Sequence, residues 1–132
     1  MAFETKVPYG QAEDEVNSFL DKKNLLPKRR QAIQEAADNV AEAISYGLVT
    51  INADGTITQK LITPIGATHE LQYAARVEPA EMQRAISRLP SETATTIHKA
   101  YLKAHTGLTD NTINKLEGQD SDIASWITLF FR

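Results

Sequence analysis

Apolar residues at Ala12, Val16, Phe19 and Leu20 fall four, three and one apart, which lays them along one side of a helix over residues 11–23. Glu13, Asp14 and Glu15 then occupy its first turn and Lys22 and Lys23 its last, as the helix dipole favours. Residues 1–10, with Pro8 and Gly10 and no period, read as an extended arm. Pro27 opens a second helix, in which Ile33, Ala36, Ala37, Val40 and Ile44 mark one face of residues 28–46. Gly47 stands where a left-handed C-terminal cap is expected. This predicts an antiparallel helical pair.

The period then shortens to two. Residues 48–52, 56–63 and 68–75 are rich in Thr, Ile, Val, Leu and Tyr, which suit a pleated surface. Turn residues at 52–55 and 64–67 separate them. The pattern predicts a three-stranded antiparallel meander, or a hairpin if the first strand is only an extended link. Residues 56–63 alternate weakly, so the pattern leaves open which side is buried. Beyond Val77 the spacing is helical again. Pro79 leads Met82, Ala85, Ile86 and Leu89, and Pro90 stops that helix. Ser91 is a candidate cap for the next, with Ala94, Ile97, Tyr101 and Ala104 inward and Gly107 at its end. Thr109 caps a short helix carrying Ile113 and Leu116, which Gly118 ends. Asp120 or Ser121 would cap the last, with Ile123, Trp126, Ile127 and Phe130 inward. The fold class is α+β, mostly helical. A small meander lies between an N-terminal arm and helical pair (1–47) and a C-terminal group of about four helices (48–132 with the meander), packed as one domain.

Composition narrows the function. With 132 residues, 42% of them apolar and 23% charged, the chain can bury roughly 65–70% of its unfolded surface and needs no metal or disulfide to fold. Its net charge of −3 gives no general attraction to nucleic acid or to an anionic membrane. Cysteine is absent, which removes disulfides, thiolate zinc sites and a cysteine nucleophile. No stretch approaches the ~20 apolar residues of a membrane span, and the start lacks the apolar core of a signal peptide. The protein is therefore expected to stay where it is made.

Motifs for catalysis are missing. His69, His98 and His105 show no metal-ligand spacing, and polar surface roles account for them. The acids at 13–15 are explained by the helix dipole and solvent rather than by paired-carboxylate chemistry. Residues 52–55 lack the downstream acid of a calcium loop. No cofactor is implied. Lys22, Lys23, Lys28, Arg29 and Arg30 form a basic cluster, readable as a phosphate or acidic-partner site, but more simply as a solvated helix junction. Residues 96–126 can pass for a helix-turn-helix. Two features oppose that reading. Lys103 stands where a small residue should let the helices approach, and residues 110–117 carry two acids against one base. At the C-terminus, Leu129 and Phe131 fall outside the core stripe that includes Phe130. Either a wide core absorbs them, or they form an apolar end suited to a partner helix or to self-association.

The order of short motifs over residues 56–132 carries a resemblance. A strand leads into Pro64-Ile65-Gly66 and returns through Glu70-Leu71-Gln72-Tyr73. A helix opens at Arg76-Val77-Glu78-Pro79-Ala80-Glu81-Met82, and Thr106-Gly107-Leu108-Thr109 precedes Ile113-Asn114-Lys115-Leu116. An acidic step at Asp120 and a closing helix with paired Phe130 and Phe131 follow. The set resembles the small tail assembly chaperones of long-tailed bacteriophages. Residues 11–47 depart from that family in being a longer helical pair, readable as an added oligomerisation or docking element.

The resemblance implies a non-enzymatic factor of the host cytoplasm that is absent from the mature virion. Such a factor coats the tape-measure protein, recruits tail-tube subunits and often has a second, frameshifted product. Many weak copies of a small binder would keep apolar helix faces soluble without locking them. The contacting surface expected on this reading is Leu129, Phe130 and Phe131, with Leu108 and Met82 as neighbours, and self-association is a corollary. A helix-turn-helix-like DNA-binding regulator and a structural subunit of the particle are the alternatives.

Overall fold

The computed structural model describes residues 3–132, so Met1 and Ala2 of the expected arm lie outside the described residues. Among the described residues there are seven helices and one three-stranded sheet. The helix α1 (Tyr9–Asp21) buries Ala12, Val16 and Leu20, three of the four stripe positions, and leaves Phe19 half-buried. It starts two residues earlier than the periodicity indicates. Glu13–Glu15 therefore lie beyond the first turn and stay exposed, and Lys22 is the C-terminal cap.

The second expected helix is two: α2 (Pro27–Ala32) and α3 (Gln34–Ser45), broken at Ile33. Ile33 leaves helical geometry at φ −100° and ψ 8° while its side chain stays in the core at 2% exposure. Ala36, Ala37, Ala41 and Ala43 line the buried side of α3. Such small side chains let α1 and α7 approach its backbone closely. Gly47 ends this region at φ +77°, as the cap argument requires.

The three strands are β1 (Val49–Ile51), β2 (Ile57–Ile65) and β3 (Thr68–Tyr73), antiparallel and in chain order. Val49 pairs with Gln59, and Ile57 with Tyr73. Ile57, Gln59 and Leu61 face the core from β2, and Leu71 and Tyr73 from β3. The inward position taken by Gln59 is why β2 alternates so weakly in sequence. Between Lys60 and Ile65 the β2–β3 register shifts.

The remaining helices are α4 (Pro79–Ser87), α5 (Ala94–Thr106), α6 (Asp110–Asn114) and α7 (Gly118–Leu129). In α4 only Met82 is buried. The cap of α5 is Thr93 rather than Ser91: its hydroxyl accepts from the Thr96 N–H, and the Thr96 hydroxyl accepts from the Thr93 N–H. Its buried residues are Ala100, Leu102 and His105, a face rotated from the expected one, because α5 packs on β3 and α7 as well as on α4. Thr109 caps α6 through the Thr112 N–H, as expected.

The expected caps of α7 are not used. The helix begins at Gly118, and Asp120 turns inward to 3% exposure, where its carboxylate accepts from the N–H groups of Ile62 and Thr63 at 2.8 and 2.9 Å. These donors lie where the sheet register slips, so an acid from α7 satisfies them. A single buried apolar cluster runs from Ala12 to Phe130 and joins α1, α3, the sheet, α5 and α7.

Candidate functional site

The β3–α4 connection, α4 and the last turn of α5 enclose a groove of about 490 Å³ with Phe131 and Lys23. Val77, Met82, Ile86 and Phe131 give it apolar walls. The inner side is held by His105, whose ring stacks on Phe131 with centroids 4.2 Å apart and lies nearly parallel to Tyr101 at 6.4 Å. His105 Nδ1 lies 3.0 Å from the Ala74 carbonyl, which only accepts, so Nδ1 carries a proton. Burial pushes this imidazole below its ordinary pKa; the Ala74 hydrogen bond opposes the shift and the charge of Lys23 adds to it. The Ala74 N–H in turn donates to the His105 carbonyl at 2.8 Å. Both main-chain groups of Ala74 are thus used where β3 reaches the groove.

Lys23 stands at the edge of this groove with Nζ 4.7 Å from the centre of the Phe131 ring and 5.1 Å from that of Phe19. Burial lowers its pKa from the ordinary lysine value. The ion pairs among the described residues are Lys6–Glu4 and Lys103–Asp110, so no carboxylate pairs with Lys23. On its other side lies a second cleft of about 420 Å³, bordered by Phe19, Ile51 and the 52–55 turn. A third, of about 380 Å³, lies between α3 and α7, where Phe3 of the arm meets Tyr46 at 5.6 Å and Trp126 forms part of the wall.

The five residues expected to meet a partner do not form one surface. Met82 and Phe131 share the groove. Phe130 is 2% exposed, with its ring 5.9 Å from Phe19, so it is core and unavailable to a partner. The helix turns its side chain inward as it does Ile123 and Ile127, and the same apolar stripe consumes all three. Leu129 is half-buried against the core and does not line the groove. Leu108 packs on the core beside the α5–α6 turn, away from it.

The basic cluster does not form an anion site either, because its members are directed to different partners. The Arg29 guanidinium donates to the main-chain oxygens of Leu129 and Arg132 at 3.1 and 2.6 Å, placing a cation at the C-terminal end of α7. Arg30 donates to Asn17 and Gln34. Lys22 and Lys28 point to solvent, and Lys23 lies over the rings.

Sequence reasoning missed Val77, Ile86, Tyr101 and His105 as groove residues. The available signal was in α4, whose apolar stripe of Met82, Ala85 and Ile86 exceeds what the helix buries.

The three histidines are apart: His69 is exposed on β3, His98 meets Thr128, and His105 lies in the groove. No group of three or more His, Asp or Glu side chains among the described residues is placed to hold a metal ion. In the region readable as a helix-turn-helix, α6 has five residues, little more than one turn, and its Asp110 pairs with Lys103 at 3.4 Å. No helix of the described residues is long and apolar enough to cross a membrane. The chain matches no family model, and comparison with curated proteins and with solved structures gives no match.

Proposed function

We propose that this protein is a non-enzymatic assembly chaperone that covers apolar helical segments of a long partner, acting as a phage tail assembly chaperone on a tape-measure protein. The observation that carries the reading is the groove of about 490 Å³ walled by Val77, Met82, Ile86 and Phe131. Its size and lining suit the apolar side of an amphipathic helix. The resemblance over residues 56–132 supplies the identity of the partner and a second role in recruiting tail-tube subunits. On this reading the protein works in the host cytoplasm and leaves before the virion matures. Many copies along one tape-measure chain bind weakly and are displaced by tube subunits.

Coexpression with the tape-measure protein of the same phage tests this. The expected result is a tape-measure protein that becomes soluble and copurifies, with both effects lost in Ile86→Glu. Ile86 is partly exposed, so a charge there blocks the groove while the circular dichroism and melting of the variant stay close to those of the parent. A tape-measure protein that stays insoluble, or an Ile86→Glu variant as effective as the parent, would overturn the reading. Retention of duplex DNA with steep loss at high salt would favour the DNA-binding regulator instead.

A further inference from the structure

The groove's charges are of one sign. Its lining holds two basic side chains, Lys23 and Arg76, and no carboxylate. The Lys23 ammonium is half-buried over two ring faces, with no counter-ion among the described residues. A partly desolvated cation beside apolar walls gains most from an occupant that supplies an anion at that spot. Ala74, where the sheet reaches the groove, has both main-chain groups engaged by His105. A helix satisfies its own backbone and needs no pairing partner from the groove.

We propose that the groove takes an amphipathic helix whose apolar stripe is flanked by a carboxylate, and that Lys23, assisted by Arg76, is the residue that selects this carboxylate. The proposal rests on the chaperone reading and adds the chemistry of the segments it would cover. Apolar helices flanked by acid are held, and those flanked by lysine are passed over.

Fluorescein-labelled helical peptides test it by anisotropy on the full chain. They share one leucine stripe and carry Glu, Gln or Lys at the flanking positions. At low salt the Glu peptide is expected to bind about tenfold tighter than the Gln peptide. Lys23→Gln should erase that difference, and Lys23→Glu should transfer the preference to the Lys peptide, a reversal that a merely structural role for Lys23 would not produce. Arg76→Gln, at an exposed position, should reduce the difference in part.

Equal binding of the Glu and Gln peptides by the parent chain would overturn the proposal, and this comparison needs no variant. A difference that survives in Lys23→Gln would overturn it as well. So would a self-associated chain whose dimer dissociates on Lys23→Glu and resists the peptides, since the occupant would then be a second copy. Peptides that fail to discriminate, beside a tape-measure protein still kept soluble through Ile86, would remove the charge inference and leave the chaperone reading standing.

Discussion

Asp120 shows how one side chain joins two elements. Its carboxylate accepts from the N–H groups of Ile62 and Thr63, and its carbonyl accepts from Gln59 Nε2 at 2.9 Å. Gln59 Oε1 accepts in turn from the Tyr73 hydroxyl at 2.6 Å, and burial, with the Asp120 charge adding, pushes that phenol well above its ordinary pKa. Tyr73 is the donor of this pair. Asp120→Ala leaves two main-chain donors without partners and is expected to cost about 2–4 kcal/mol. Asp120→Asn keeps one acceptor but turns an amide N–H toward the other donor, so it should recover less than half. Urea midpoints at an unchanged slope measure both. His98 gives a prediction in pH. The Thr128 hydroxyl already donates to the Ser125 carbonyl, so His98 Nδ1 must donate to Thr128 and carries a proton. Burial holds its pKa below the ordinary value, helped by the charges of Arg132 and Lys99, and His105 is lowered too. For a depressed imidazole the unfolded chain binds the proton first. Stability is thus complete above the ordinary histidine pKa and is lost as pH falls through it toward the folded value. The urea midpoint should drop between about pH 7.5 and about pH 5, and the double variant His98→Gln, His105→Gln should flatten that drop. An equal drop in the double variant would assign it to other groups.

Helix α5 is fixed at both ends by local chemistry. Thr93 and Thr96 exchange hydrogen bonds at its start, and Gly107 leaves it at φ +71° with open space around the position a Cβ would take. Gly107→Ala meets no clash there, so only the left-handed backbone opposes it. The expected loss is about 1 kcal/mol, read from the urea midpoint, and no loss would mean that the turn relaxes. Signals of this kind made much of the architecture legible. Gly47, Gly107 and Thr109 act at the positions their types indicate, and Thr-, Ile- and Val-rich runs between turn residues become the three strands. What was not legible depends on distant partners. The break at Ile33 has no Pro or Gly beside it. Asp120 stands where a cap belongs, and only the register slip of β2, far away in sequence, turns it inward. For the groove, Met82 and Phe131 could be found from apolar spacing alone. Lys23 sat in a cluster whose members separate only once Phe19 and Phe131 are brought together. Phe130 falls on the core stripe by its spacing and is buried as that spacing requires, so grouping it with Phe131 as a partner contact is the error.

The whole molecule does not divide where its sequence does. The resemblance begins at residue 56 and the period changes near residue 48, yet Val16, Leu20, Ala37 and Val40 lie in the same buried cluster as Ile123, Ile127 and Phe130. Arg29 strengthens the join by reaching the last carbonyls of α7 from α2, a hundred residues away. The N-terminal helices thus supply one wall of the core. They also place Lys23 and Phe19 beside Phe131, so the groove depends on them. A chain cut to residues 48–132 would expose Ile123, Ile127 and Phe130 together. Losing even one buried residue of that size costs about 2–5 kcal/mol, and a domain has only about 5–15 in total. The fragment is therefore expected to be insoluble, or to keep helical circular dichroism without a cooperative melt and with Trp126 emission shifted toward that of an exposed indole. Adding residues 1–47 as a separate peptide should restore the melt, since the missing wall has the right shape and lacks only its covalent link. A fragment that unfolds cooperatively by itself would show that the N-terminal pair is an appendage. Its loss of affinity for an apolar helix would then measure what α1 contributes to the groove.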